Sequence, residues 1–186
     1  MLLFDNIKVL FSGERTSMKE TELKVISELL KDSRRSDREL AKAIGVSQPT
    51  VSRIISRLEK EGIIKEHTII PDFRKLGIEL VAFVFGVWSP EKFKDYSMDQ
   101  RVSKLEEFFS NHPNAFFASS GDGLAKNNVV ISLHKNYSDY RQFISQLKTE
   151  WAGLVDFESF IISFQEALMP RPFSIRNLGK YIEKTM

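Results

Sequence analysis

The residues from Ser36 to Lys60, SDRELAKAIGVSQPTVSRIISRLEK, admit very few folds. Ser36 can accept the backbone N–H of Glu39 while the Glu39 carboxylate reaches back, a reciprocal cap that opens a short helix with Leu40, Ala43 and Ile44 on one face. Gly45 supplies a turn that a Cβ would hinder, and Val46 fills the angle between two helices. Ser47 offers an N-cap oxygen ahead of Pro49, whose missing N–H costs nothing in a first turn. The second helix is expected from Gln48 to Glu61. Its apolar residues Val51, Ile54, Ile55 and Leu58 fall within about 100° of arc, leaving Pro49, Ser52, Arg53, Ser56, Arg57 and Lys60 opposite them.

Two short helices about a glycine turn, the second with a small, hydroxylic and basic outer face, form a helix-turn-helix suited to the major groove of DNA. Gln48, Pro49, Thr50 and Ser52 occupy the first turns, where base edges are reached, and Arg53 carries a fork able to read guanine O6 and N7. Ser36, Ser47, Ser56, Arg57 and Lys60 complete the candidate DNA-contact set. The competing reading is a helical hairpin with an ordinary solvated face. Against it, no acid stands between Gln48 and Leu58, whereas a merely solvated helix mixes its charges.

Composition narrows the alternatives. A chain of 186 residues with 42% hydrophobic content can bury a sizeable core, divided between two modules. The absence of cysteine removes disulfides, thiolate metal sites and a cysteine nucleophile, and His67, His112 and His134 do not have metal-ligand spacing. No metal, cofactor or catalytic residue is expected. No run approaches the roughly 18 apolar residues of a membrane span, and no signal-like segment opens the chain, so a cytoplasmic location without membrane contact is expected. Charge is uneven: residues 17–75 hold 13 basic against 10 acidic side chains, residues 76–165 hold 8 against 11, and residues 166–186 hold 4 against 2. That asymmetry suits a nucleic-acid-binding front and a partner-binding rear.

Before the motif, residues 1–16 form an apolar N-terminal extension, expected either to dock on this or a neighbouring subunit or to remain a disordered end. Ser17 and Glu20 read as a second capping pair, opening a helix to about Asp32 with Leu23, Ile26, Leu29 and Leu30 on one side. After the recognition helix, Gly62 suits the position past the helix end, and Ile63 to Ile70 is β-branched enough for a strand or hairpin, a wing. Lys65, His67 and Thr68 stand there as phosphate contacts or plain exposed residues.

The run ELAKAIGVSQPTVSRIISRLEKEGIIKEHTIIPDFRKLG, Glu39 to Gly77, resembles the DNA-binding half of the leucine-responsive/asparagine-regulator (Lrp/AsnC, feast/famine) family. The resemblance covers about residues 20–77, and it implies a second domain with a β-α-β-β-α-β sheet. The remaining residues fit that order. Glu79–Trp88 is apolar on both faces, with Val81, Phe83, Phe85 and Val87 on one and Leu80, Ala82, Val84 and Trp88 on the other. Ser97–Asn111 is a capped helix with Met98, Val102, Leu105, Phe108 and Phe109 as its stripe. Ala115–Ser119 and Asn128–His134 are strands about a Gly121-Asp122-Gly123 loop. Tyr137–Trp151 is a helix with Tyr140, Phe143, Ile144, Leu147 and Trp151 inward, and Asp156–Gln165 closes the sheet. The expected fold is α+β, an N-terminal winged helix-turn-helix (17–72), a linker (73–78) and a C-terminal ferredoxin-like domain (79–166), with a helical extension over 167–186 that either locks a dimer or covers its own sheet edge. A sheet face without a third layer, with Leu80, Val84 or Phe83 on it, should meet another subunit.

The resemblance implies a transcription regulator binding double-stranded DNA as a homodimer or higher homo-oligomer, with an amino acid or other small effector bound where dimers meet. Two features depart from the family pattern: the longer SPEKFKDY segment, and an expanded SGDGLAKNN turn in which Asn128 stands near the family's usual acid. Gly121, Asp122, Gly123 and Asn128 are the candidate effector residues, since glycine-freed N–H groups can hold a carboxylate and Asp122 or Asn128 an ammonium. Two alternatives remain, an architectural DNA-binding protein of low sequence preference and an enzyme resembling sirohaem decarboxylases. For the latter, no convergent His, Arg and Tyr cluster marks a tetrapyrrole pocket.

Overall fold

The computed structural model describes residues 18–88, 91, 94 and 96–185; the N-terminal extension, Ser17 and most of the Ser89–Tyr96 segment lie outside them. In chain order the elements are α1 (Glu20–Lys31), α2 (Asp37–Ile44), α3 (Gln48–Lys60), a 3-10 turn (Phe73–Leu76), β1 (Leu80–Trp88), α4 (Met98–Asn111), β2 (Ala115–Gly123), β3 (Lys126–His134), α5 (Tyr137–Glu150), β4 (Val155–Ser163) and α6 (Arg176–Thr185). They fall into two compact units. One spans Pro71–Pro170, and the other joins the residues up to Ile70 with those from Arg171 onward.

In the discontinuous unit α1 begins later than the Ser17/Glu20 pairing predicts. The Lys19 N–H donates to Glu22 Oε2 at 3.0 Å, so the capping carboxylate stands two residues further on. Leu40, Ala41 and Val51 form the centre of the helix-turn-helix, packed by Leu29, Ile44, Val46 and Ile55. The buried residue beside Leu40 is Ala41; Ala43, expected inward, is exposed. Val25 and Ser27 are fully buried on α1.

Ser27 is buried because α6 lies along α1. A Cβ at Gly179 would sit 2.6 Å from the Ser27 carbonyl oxygen, so only glycine permits this approach. Ser27 Oγ lies 3.0 Å from the Gly179 carbonyl and 2.9 Å from Glu183 Oε1, and its one proton serves both acceptors. Lys31 pairs with Glu183 beside them. Within this chain the closing helix is a fourth helix of the first unit, packed along α1.

The segment 63–70, expected as a wing strand, carries no strand. Ile63 and Ile64 both donate to the Leu58 carbonyl, at 2.9 and 3.1 Å, and no second strand in the described unit completes a ladder, so Ile69 stays 77% exposed.

The second unit is a four-stranded antiparallel sheet in the order β2-β3-β1-β4, the ferredoxin-like arrangement. Leu80, Ala82, Val84 and Val130 pack under α4 and α5 against Phe108, Phe143, Leu147 and Trp151. Strand alternation places Phe83 on the other face, opposite Ile131 and Phe160, with Phe160 63% exposed. Leu80 and Val84 thus belong to the covered face, and the uncovered one is the Phe83 set. Val102, expected in the α4 stripe, is exposed.

Two polar side chains, Ser132 and His134, are buried on the covered side of the sheet. His134 is buried, its Nε2 2.9 Å from Ser132 Oγ, while Nδ1 makes no hydrogen bond and lies 3.6 Å from Asp139 Oδ2. Burial holds its imidazole below the ordinary value of 6.5, and the Asp139 charge acts in the opposite direction.

Candidate nucleic-acid interface

The reciprocal cap forms as the residues require: Ser36 N–H donates to Glu39 Oε2 at 2.8 Å, and Glu39 N–H returns to Ser36 Oγ at 3.4 Å. The Ser36 N–H, and after it the Ser36 hydroxyl, which also donates to Glu39 Oε2 at 2.8 Å, hold the Glu39 carboxyl below its usual range. Gly45 is left-handed at φ 76°, and its N–H and that of Val46 both donate to the Ala41 carbonyl, which aims the chain into α3. Ser47 stands at the N-cap, yet its hydroxyl pairs with Thr50 Oγ1 at 2.8 Å and makes no bond to the helix backbone. Buried Val51 and Leu58 anchor α3, and its opposite side faces outward.

On that side Gln48, Pro49, Ser52, Arg53, Ser56 and Lys60 are all exposed. Thr50 is half-buried and occupied by Ser47, and Ser36 lies on the preceding cap, where its side chain is engaged by Glu39. Arg57 departs from the expected set. It turns back to pair with Glu22 of α1, whose side chain is only 7% exposed, and its Nε lies 3.7 Å from Glu61 Oε1. Arg57 is a strut between helices, not a groove-facing cation. Its partner lies 35 positions away, so helical periodicity had no means of assigning it.

Arg53 and Lys60 make no ion pair among the described residues, and neither do Arg34, Arg38 and Lys42 at the start of the helix-turn-helix, three cations absent from the candidate set. Arg35, by contrast, pairs with Glu28. Glu59 is engaged by His67 Nε2 at 3.1 Å, which accounts for His67 without a phosphate, and Glu61 lies beside Arg57. An exposed helix face with unengaged cations and no free acid can accept a polyanion, and a guanidinium there can read guanine edges.

The candidate effector residues do not form a loop. Gly121, Asp122 and Gly123 continue β2, with an irregularity between Ser120 and Gly123, and the turn is the two residues Leu124 and Ala125, at φ 53° and 54°. Asn128 sits in β3, half-buried over Gly86, where a Cβ would lie 2.4 Å from its Oδ1. Asn127 bridges the strands, its Oδ1 accepting from Trp88 N–H at 2.9 Å. Lys126 pairs with Glu158 Oε1 at 2.8 Å. Asp122 is exposed and Asn128 faces Gly86. Among the described residues no helix is long and apolar enough to cross a membrane.

The pattern described as winged helix-turn-helix DNA-binding matches residues 18–65. The HTH-type transcriptional regulator LrpC of Bacillus subtilis is 40% identical over 80 residues, 41% of this chain and 56% of LrpC, so the chain spans little more than half the length of that relative. An HTH-type transcriptional regulator of Pyrococcus furiosus is 38% identical over 126 residues, 67% of this chain and 77% of its own. Among solved structures, Bacillus subtilis LrpC aligns with a TM-score of 0.63 at 26% identity, over 81% of this chain and 97% of that one. A transcriptional regulator of Neisseria meningitidis, solved in complex with L-Met, shares the fold at a TM-score of 0.67 and 15% identity, over 82% and 94%. With the helix-turn-helix ahead of an antiparallel ferredoxin-like sheet, the chain belongs to the Lrp/AsnC family of HTH-type transcriptional regulators.

Proposed function

We propose that this chain is a sequence-specific DNA-binding regulator that works in the cytoplasm as a homodimer or larger homo-oligomer, and that it carries out no catalysis. The observation that carries the reading is the outer face of α3: Arg53 and Lys60 exposed and unpaired, with Glu59 engaged by His67 and Glu61 beside Arg57. Arg53 reads a base edge, and Lys60, Arg38 and Lys42 hold phosphates. The uncovered sheet face around Phe83, Ile131 and Phe160 supports self-association, because an aromatic face of this kind is left without a second layer within the unit. Two copies present two recognition helices to a two-fold-related site. The L-Met complex of the Neisseria regulator supports an amino acid as effector, with Gly121, Asp122, Gly123 and Asn128 as the region to test.

Selection of bound fragments from random duplex, repeated with and without an amino-acid mixture, tests the reading. Recovery of a two-fold-related motif is expected, and an amino acid that acts should change its yield. Binding abolished by a modest excess of random competitor would favour the architectural alternative.

A further inference from the structure

The chain enters the second unit once and leaves it once, and both crossings begin at one point. Leu80 at the start of β1 lies opposite Ser163 at the end of β4, Phe164 N–H donates to the Glu79 carbonyl at 2.7 Å, and the Phe73 and Phe164 rings stack with centroids 5.4 Å apart. The outgoing connector is fixed at one end by the bonds of Ile63 and Ile64 to Leu58, and at the other by Asp72 capping the 3-10 turn. The returning connector is fixed by a turn in which Ser163 Oγ accepts from the N–H groups of Gln165 and Glu166, with Ala167 N–H donating to the Ser163 carbonyl. Residues 65–71, with His67 held to Glu59, make the outgoing connection, and residues 168–175, with Pro170 and Pro172, the returning one. Each connecting stretch reaches no more than about 25–30 Å when fully extended, and proline stiffens the second.

We propose that α6, docked on α1 through Ser27, Gly179, Glu183 and Lys31, is a strap that sets which half-site spacings the DNA-binding units accept. The inference rests on the DNA-binding reading given above. One flexible connector lets a DNA-binding unit range over many positions around the second unit. A second connector of similar length, returning from the same point to a different helix of the same unit, removes most of that range, and the positions that remain correspond to a narrow set of separations along the duplex. Ser27, Gly179 and Glu183 are therefore positioning residues for spacing specificity, acting with no contact to DNA.

The test measures affinity for a set of duplexes whose half-sites, taken from the selected motif, are separated by successive single base pairs through one helical turn. The protein is compared with a variant carrying ten added Gly and Ser residues between Glu166 and Ala167, which leaves α6 and its docking surface intact, and with Gly179→Leu, which removes the docking. The slackened variant should keep the thermal stability and single half-site affinity of the parent, while its preference among spacings flattens at least tenfold. Gly179→Leu should lose the preference too, together with some stability. A slackened variant as selective as the parent overturns the strap and leaves the DNA-binding reading standing; a parent that binds no duplex overturns both.

Discussion

Two arginines one helical turn apart on α3 have opposite duties, and substitution separates them. Arg53→Ala should weaken binding to the selected site by about 1–3 kcal/mol and relax preference at one base position, with the melting temperature unchanged; competition titration against single-base variants measures this. Arg57→Ala leaves the nearly buried Glu22 carboxylate without its cation, so it should lower stability by about 1–3 kcal/mol while sparing base preference in DNA titrations below the melting transition. His134 makes a prediction about pH. Its folded value is depressed, so between the unfolded value near 6.5 and that lower one the unfolded chain holds a proton that the folded domain refuses. Its contribution is fully present above that window and lost as pH falls through it, with a slope of at most about 1.4 kcal/mol per pH unit. Denaturant titrations at pH 7.5 and 5.5 should show this loss, and His134→Gln should reduce it.

Among the elements, the β2–β3 turn contradicts its own residues. Leu124 and Ala125 hold left-handed backbone, a conformation that costs an L-residue with a Cβ about 1–2 kcal/mol. Leu124→Asn combined with Ala125→Gly should therefore raise the stability of the second unit by about 1–2 kcal/mol, readable as a higher denaturant midpoint with an unchanged slope. This turn also marks where sequence reading lost its hold. Gly121-Asp122-Gly123 has turn chemistry, but pairing with β3 carries the strand through it, and an interstrand ladder is not a local signal. Signals confined to a few residues were legible: the Ser36/Glu39 and Ser97/Gln100 caps, the Gly45 turn and the α5 stripe all form as their spacing dictates. Partners far apart were not. Nothing beside Ser27 announces that a polar residue will be buried by a helix 152 positions later, and nothing beside Arg57 announces Glu22.

The molecule as a whole joins a covered sheet face to an uncovered one. Phe160→Asp places a charge on the uncovered face without touching the α4–α5 core, so sedimentation should change from a dimer or larger species to a monomer while the circular dichroism of the second unit is retained. A parent chain that sediments as a monomer at micromolar concentration would remove the basis for paired half-sites. The discontinuity of the first unit has a consequence for biogenesis. Chains are synthesised at about 5–20 residues per second, so α6 leaves the ribosome roughly 5–25 seconds after α3. During that interval the second unit can complete its sheet, while the helix-turn-helix waits with the Ser27 flank of α1 uncovered. The DNA-binding unit, first in the sequence, is the last to be finished.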